Sequence, residues 1–123
     1  MKDLENRTDI ELLVNTFYQK VKSDDQIGFF FNDVAKIDWN KHLPTMYDFW
    51  EMTLFHKGNY KGNTVKVHQA LNEKSSLKKE HFEHWVELFH STVNELFEGA
   101  NAELAKTRAL SIATVMQIKI PNS

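Results

Sequence analysis

Six histidines are the first residues in this chain that could do chemistry: His42, His56, His68, His81, His84 and His90. His81 and His84 stand three residues apart, which sets them on one helical face and suits two metal ligands. The run reads H-F-E-H, so the zincin pattern H-E-x-x-H is absent. A carboxylate-bridged di-iron bundle needs Glu-x-x-His on two helices. Glu87 and His90 supply that spacing once, and Glu80, His81, Glu83 and His84 supply no second copy. His81, His84 and His90 therefore read as a solvated helix face. Ser23, Ser75, Ser76, Ser91, Ser111 and Ser123 lie in no G-x-S-x-G elbow. Neither G-x-G-x-x-G nor G-x-x-x-x-G-K occurs, so no phosphate loop is indicated.

A subtler pattern remains. Tyr18, His42, Met46 and Trp85 each fall on the apolar stripe of a periodic segment, and His68 sits alone in a short segment after a glycine loop. Polar tips that face inward need partners there. Each one alone is most simply a satisfied core residue. Three such segments together could bring their tips to one cavity, which periodicity by itself does not show.

The elements that would position them are helical. Ile10, Leu13, Val14, Phe17, Tyr18 and Val21 form one stripe of a helix from Thr8 to Val21. Thr8 and Glu11 have the capping-box form, and Ser23-Asp24-Asp25 closes the segment. Ile27 to Phe31 reads as a tight turn that packs three Phe rings. His42, Met46, Phe49, Trp50 and Thr53 share a face in the next segment, about Asp38 to Phe55. Pro44 is best tolerated in a first helical turn, which predicts that the regular helix begins near Leu43 with His42 at its mouth or just outside. Two of the four glycines lie in the Gly58–Asn63 stretch, the clearest loop. A brief segment, Val65 to Leu71, carries His68. Phe82, Trp85, Phe89, Val93 and Leu96 or Phe97 mark a helix from about Lys78 to Glu98, with Gly99 at its C′ position. Asn101 is the expected N-cap of a last helix ending before Pro121, with Leu104, Ala105, Arg108, Ala109, Ile112, Ala113 and Met116 inward.

Composition narrows the class. The 123 residues allow one domain, with its core over about 9–118. Four glycines and two prolines are too few for a sheet-rich fold with frequent turns, so the class is all-α. Absence of cysteine excludes disulfide scaffolds, thiolate-ligated metal and thiol nucleophiles. The formal net charge is −2 with no block of one sign, so no nucleic-acid partner is expected. No run is long and apolar enough for a membrane span, and Met1 to Asp9 is no signal peptide. A cytoplasmic monomer is the simplest expectation. Nine Phe, three Trp and three Tyr are many rings for so short a chain.

Five runs in order resemble the group III truncated haemoglobins: IELLVNTFYQKV (10–21), IGFFFN (27–32), WNKHLPTMYDFW (39–50), GNYKGNTVKVH (58–68) and HWVELF (84–89). The resemblance extends from about Asp9 to Met116. No Gly-Gly occurs, in keeping with that group. It implies a truncated globin fold, a two-on-two helical sandwich around a b-type haem. By that resemblance His68 is the proximal iron ligand. Tyr18 and Trp85 correspond to the distal hydrogen-bond donors, His42 to the distal histidine and Met46 to the apolar residue one turn on. Phe31, with Phe30 as the other choice, matches the ring near the haem edge. Phe17, Phe49, Trp50, Phe82 and Phe89 would help wall the cofactor. Lys61 and Lys66, or Lys57 and Lys36, could meet the propionates, against the plainer reading of surface lysines.

The function implied is binding of O2, NO or CO. The resemblance leaves open a redox enzyme, either a nitric oxide dioxygenase or a peroxidase-like protein, which would need an external electron donor or reductase. It also leaves open whether His42 binds the iron when no gas is present. A helical interaction module with a purely aromatic core is the non-haem alternative.

Overall fold

Ile10, Leu13, Val14, Phe17, Tyr18 and Val21 are all buried on α1 (Arg7–Lys22), as the stripe predicts. The computed structural model describes residues 1–29, 38–56 and 78–119, with side chains to 115 in the last helix. Phe30, Phe31, Lys36, Lys57, Lys61, Lys66, the glycine loop, His68 with its short segment, the Met116 side chain and Pro121 lie outside the described residues. Three more helices follow: α2 (Trp39–Phe55), α3 (Lys79–Leu96) and α4 (Ala100–Lys119). α1 packs on α2 and α3, and α4 packs on α3 and α2, so the helices close a two-over-two arrangement. No strand occurs among the described residues.

Helix starts differ from the local sequence signals. α1 is capped by Asn6, whose Oδ1 accepts from the Asp9 N–H at 3.1 Å, and not by Thr8. The Asp9 carboxylate accepts from the Glu5 N–H at 2.9 Å and meets Lys2 Nζ at 2.6 Å, so the reciprocal half of the cap lies one residue upstream. α2 begins at Trp39, four residues before Leu43, because the Asp38 side chain accepts from the Asn40 N–H. Pro44 lies inside the helix. Its missing N–H would have bonded the Asn40 carbonyl, and Asn40 is exposed, so water can satisfy that group. His42 is thus helical.

The turn after α1 buries Ile27 but leaves Phe29 51% exposed, so it does not pack all three of its rings. α4 buries Ala102, Ala105, Ala109 and Ala113, whereas Arg108 is exposed rather than inward. Leu104 and Ile112 are partly buried against the same core. A row of alanines lets α4 approach its neighbours closely, so most of the core volume comes from the other three helices.

The cap of α4 comes from the far end of the chain. Asp3 accepts from the N–H groups of Asn101 at 2.9 Å and Ala102 at 2.8 Å, while Asn101 instead donates its side-chain amide to the Leu4 carbonyl at 2.7 Å. Leu4 is fully buried and joins the core. Gly99 has φ of 143°, and a Cβ there would stand 2.5 Å from Asp3 Cγ. Glycine is required by both the backbone and the close approach.

Burial works against the Asp3 carboxylate, but the N–H groups of Asn101, Ala102 and Leu4 outweigh it and hold its pKa below the ordinary 3.8. A depressed folded pKa gives stability that is present above the unfolded value and lost as pH falls through the folded one. Asp3→Ala is expected to cost about 0.5–2 kcal/mol at neutral pH, read from urea denaturation. The gap between variant and wild type narrows once the pH drops below 3.8; a gap unchanged in acid would contradict a charged cap.

Candidate functional site

The inner faces of α1, α2 and α3 meet in a chain of rings. Phe89 on α3 stacks on Trp50 of α2 at 4.8 Å between centroids and 15° between planes. Phe89 also stacks on Trp85 at 6.1 Å and 16°. Phe17 of α1 meets Phe89 edge-on at 5.1 Å and Trp85 edge-on at 5.6 Å. These are the offset and T-shaped geometries that the ring quadrupole favours, each worth about 0.5–1.5 kcal/mol beyond burial. Phe49 meets Trp50 edge-on at 5.3 Å and extends the chain outward.

Polar-tipped rings adjoin this apolar set. Tyr18, 6% exposed, lies 5.0 Å from Phe17 and 5.3 Å from the imidazole of His42. Nε2 of His42 is buried. Burial pushes the Tyr18 phenol well above its usual pKa of 10, so the hydroxyl keeps its proton and remains a donor at ordinary pH. Met46, one turn after His42, is buried, and so is Phe82. Trp85 is partly buried against the core.

Trp39 is the site residue that the sequence reading missed. Its ring lies 5.3 Å from Tyr18 and 5.5 Å from His42, and Lys22 Nζ sits 4.5 Å above it. The signal was its place three residues before His42 on one helical face. An assumed helix start at Leu43 hid it.

The structure thus brings Tyr18 to His42, and Phe17, Trp50, Trp85 and Phe89 to one cluster. Phe31, Lys61, Lys66 and His68 lie outside the described residues. The three histidines read as a solvated face are in fact engaged. His84 Nε2 lies 2.6 Å from Asp24 Oδ2, His90 Nε2 lies 3.0 Å from the Lys106 carbonyl, and His81 Nδ1 accepts from the Lys78 N–H at 2.9 Å. Each side chain caps or bridges elements, which a lone helical wheel does not show.

The polar tips are a phenol, an imidazole and an indole beside apolar rings. Among the described residues no group of three or more His, Cys, Asp or Glu could hold a metal ion. A metal held here would need to bring most of its ligands with it, as a porphyrin does. Flat aromatic rings with a phenol, an imidazole and an indole beside them fit such a group.

No family model matches the chain. A curated relative, the group 3 truncated haemoglobin ctb of Campylobacter jejuni, is 30% identical over 115 residues, which span 91% of this chain and 88% of the relative. A crystal structure of a group III truncated haemoglobin from Campylobacter jejuni aligns with a TM-score of 0.85 at 29% identity, covering 98% of this chain and 96% of that one.

Phe89 is fully buried and touches rings from both other helices of the cluster. Phe89→Ala should lose about 3–5 kcal/mol of unfolding free energy in chemical denaturation. A loss of ~1 kcal/mol, the average for any substitution, would show that this ring is not the centre of packing.

Proposed function

Since the chain belongs to the group III truncated haemoglobins, we propose that it is a single-domain protein that holds a b-type haem through His68 and retains O2, or NO or CO, beside Tyr18 and Trp85. The pairing of Tyr18 with His42, joined through the Tyr18–Phe17 contact to the Phe17, Trp85 and Phe89 cluster, carries this reading. His68 would hold the haem iron, and the haem would supply the capacity to bind a diatomic ligand. Phe17, Phe49, Trp50, Phe82 and Phe89 give apolar walls that exclude water and strengthen any hydrogen bond made inside. Lys61 and Lys66 are candidates for the propionates.

Tyr18 contributes a hydroxyl that burial keeps protonated. Trp85 contributes an indole N–H, which only donates. Both favour a ligand that carries partial negative charge, O2 more than CO. A hydrogen bond to a charged group is worth about 1.5–3 kcal/mol, so two donors together slow ligand loss by roughly a hundredfold or more. His42 and Met46 complete the distal side, with His42 placed in the helix and against Tyr18. Slow release suits scavenging, sensing or redox use better than storage. Turnover as a nitric oxide dioxygenase or peroxidase would need electrons from another protein.

The deciding experiment is a visible spectrum of wild type and His68→Ala, oxidised, reduced and with CO. Wild type should show a Soret band, and the variant should lose it unless imidazole is added. No band in wild type would favour a helical interaction module. Stopped-flow O2 dissociation should accelerate about tenfold to a hundredfold in Tyr18→Phe and in Trp85→Phe. Removal of haem should lower the melting temperature, because a ligand that binds only the folded state stabilises it. An apo-protein as stable as the holo-protein would count against cofactor binding in this core.

A further inference from the structure

The Asp24–His84 pair lies beside the ring cluster and takes no part in the site just described. His84 Nε2 stands 2.6 Å from Asp24 Oδ2, with the two side chains only 20% and 14% exposed. The Asp24 carboxylate is itself held in place. Its Oδ1 accepts from the N–H groups of Gln26 at 2.8 Å and Ile27 at 3.0 Å. The Asp24 N–H donates to the Val21 carbonyl at 3.1 Å, and the Asp24 carbonyl accepts from Gly28 at 3.0 Å. Ile27 anchors this turn in the core, and a Cβ on Gly28 would stand 2.8 Å from the Val21 carbonyl oxygen. Asp24 is therefore a rigid extension of α1 rather than a mobile surface charge. Burial opposes its ionisation, but His84 and the two N–H groups hold its pKa below the usual carboxylate value.

His84 immediately precedes Trp85. In an α-helix, holding one side chain in place sets the direction of the next, because each residue turns by about 100°. A second tether joins the same two helices: Lys20 Nζ lies 2.7 Å from Glu95 Oε1. Lys20 and Asp24 are one helical turn apart in sequence, yet they reach positions on α3 about 16 Å apart along its axis. Two tethers, one in the second turn of α3 and one at its end, act with the Phe17–Phe89 contact to set how it crosses α1. The Asp24–His84 tether is much the less exposed of the two. Glu87 Oε2, 4.0 Å from His84 Nδ1, is exposed on the same helix and adds no link to α1.

The geometry points to Asp24 and His84 as positioning residues: their pairing fixes the rotation and tilt of the start of α3 on α1, and so sets the place of the Trp85 indole relative to Tyr18. This rests on the reading of Trp85 as a donor to the bound ligand. It assigns part of ligand retention to a pair that touches neither ligand nor cofactor.

The test compares wild type with His84→Leu, which removes the donor and keeps helix propensity, and His84→Gln, which keeps an N–H donor at similar reach. Asp24→Asn is the milder alternative if His84→Leu does not fold, because Asn can still accept from Gln26 and Ile27. In the CO-bound protein, the Trp85 indole N–H resonance, identified by its loss in Trp85→Phe, should shift in His84→Leu and return in His84→Gln. O2 dissociation should quicken about three- to tenfold in His84→Leu, the loss of part of one charge-assisted hydrogen bond. It should stay within about twofold of wild type in His84→Gln. In a Trp85→Phe background, His84→Leu should add nothing, since the two act as one unit. An unmoved indole resonance, or fully multiplicative rates in the double variant, would overturn the proposal. If Trp85→Phe alone leaves O2 dissociation unchanged, the donor reading fails instead, and the indole resonance still decides whether the pair positions Trp85.

Discussion

Phe89 touches Phe17 from α1, Trp50 from α2 and Trp85 from its own helix, and it is wholly buried while doing so. The other packing choices follow from that junction. Large flat side chains meeting at one point need a fourth wall that comes close and intrudes little. α4 supplies it with Ala102, Ala105, Ala109 and Ala113, all buried. A larger residue at any of these would push α4 away from the rings, and cores resist such overpacking. The abundance of rings in so short a chain thus has a structural cause: three helices carry the core volume that the fourth withholds.

The same economy appears at the termini. α4 has to start close to the end of α3, and Phe97 leaves α3 in extended backbone while staying buried. The chain's first residues run alongside, with the Glu98 N–H donating to the Lys2 carbonyl at 2.9 Å and Asp3 capping α4. α1 is in turn braced to α2. Arg7 Nη1 donates to Asp48 Oδ1 at 2.7 Å and Glu51 Oε1 at 3.0 Å, and the Tyr47 hydroxyl donates to Asn15. Exposed pairs of this kind contribute little each. Their value lies in geometry, since they fix which residues of α1 and α2 face each other above the ring junction.

The inner stripes were legible because a helix buried on one side must repeat its apolar residues at helical spacing. All six stripe residues of α1 are buried, and Phe82, Phe89 and Val93 of α3 are too. Tyr18 and His42 were each legible on an apolar stripe for the same reason, but their meeting was not. What escaped the reading was non-local. Asn101 looks like an N-cap, yet the cap is Asp3, whose distance along the chain hides it from any local pattern. Thr8-x-x-Glu11 and Asn6-x-x-Asp9 are competing cap signals in one segment, and Lys2 with the Glu5 N–H settles the choice by engaging the Asp9 carboxylate. Pro44 seemed to forbid a helix at Trp39 because sequence alone does not show that Asn40, whose carbonyl loses its partner, is exposed. His84 looked like a solvated residue because Asp24 lies beyond a turn that periodicity does not describe.

Full charges in this fold stand in pairs, and that pairing bears on what the interior can discriminate. Arg7 pairs with Asp48 and Glu51, Lys20 with Glu95 and Lys2 with the buried Asp9, while the Asp24 carboxylate is held beside His84. Of the polar tips within, the Trp85 indole carries no charge, and Tyr18 is driven further towards its neutral form by burial. A buried full charge would bind any counter-charge strongly and would cost several kcal/mol to bury unpaired. Neutral donors in a water-poor site act differently. They gain little from an apolar guest and much from one that acquires negative charge, because the hydrogen bond strengthens as the acceptor becomes charged. On the proposed reading, discrimination would depend on donor placement within a few tenths of an ångström, as hydrogen-bond strength falls steeply with distance and angle. A thin core has few means of holding an indole that still. Stacking on Phe89 restrains the plane of Trp85, and the helix that carries it is tied to α1 in its second turn and at its end by pairs lying outside the rings. Tethers outside the rings and uncharged donors beside them are therefore two parts of one arrangement.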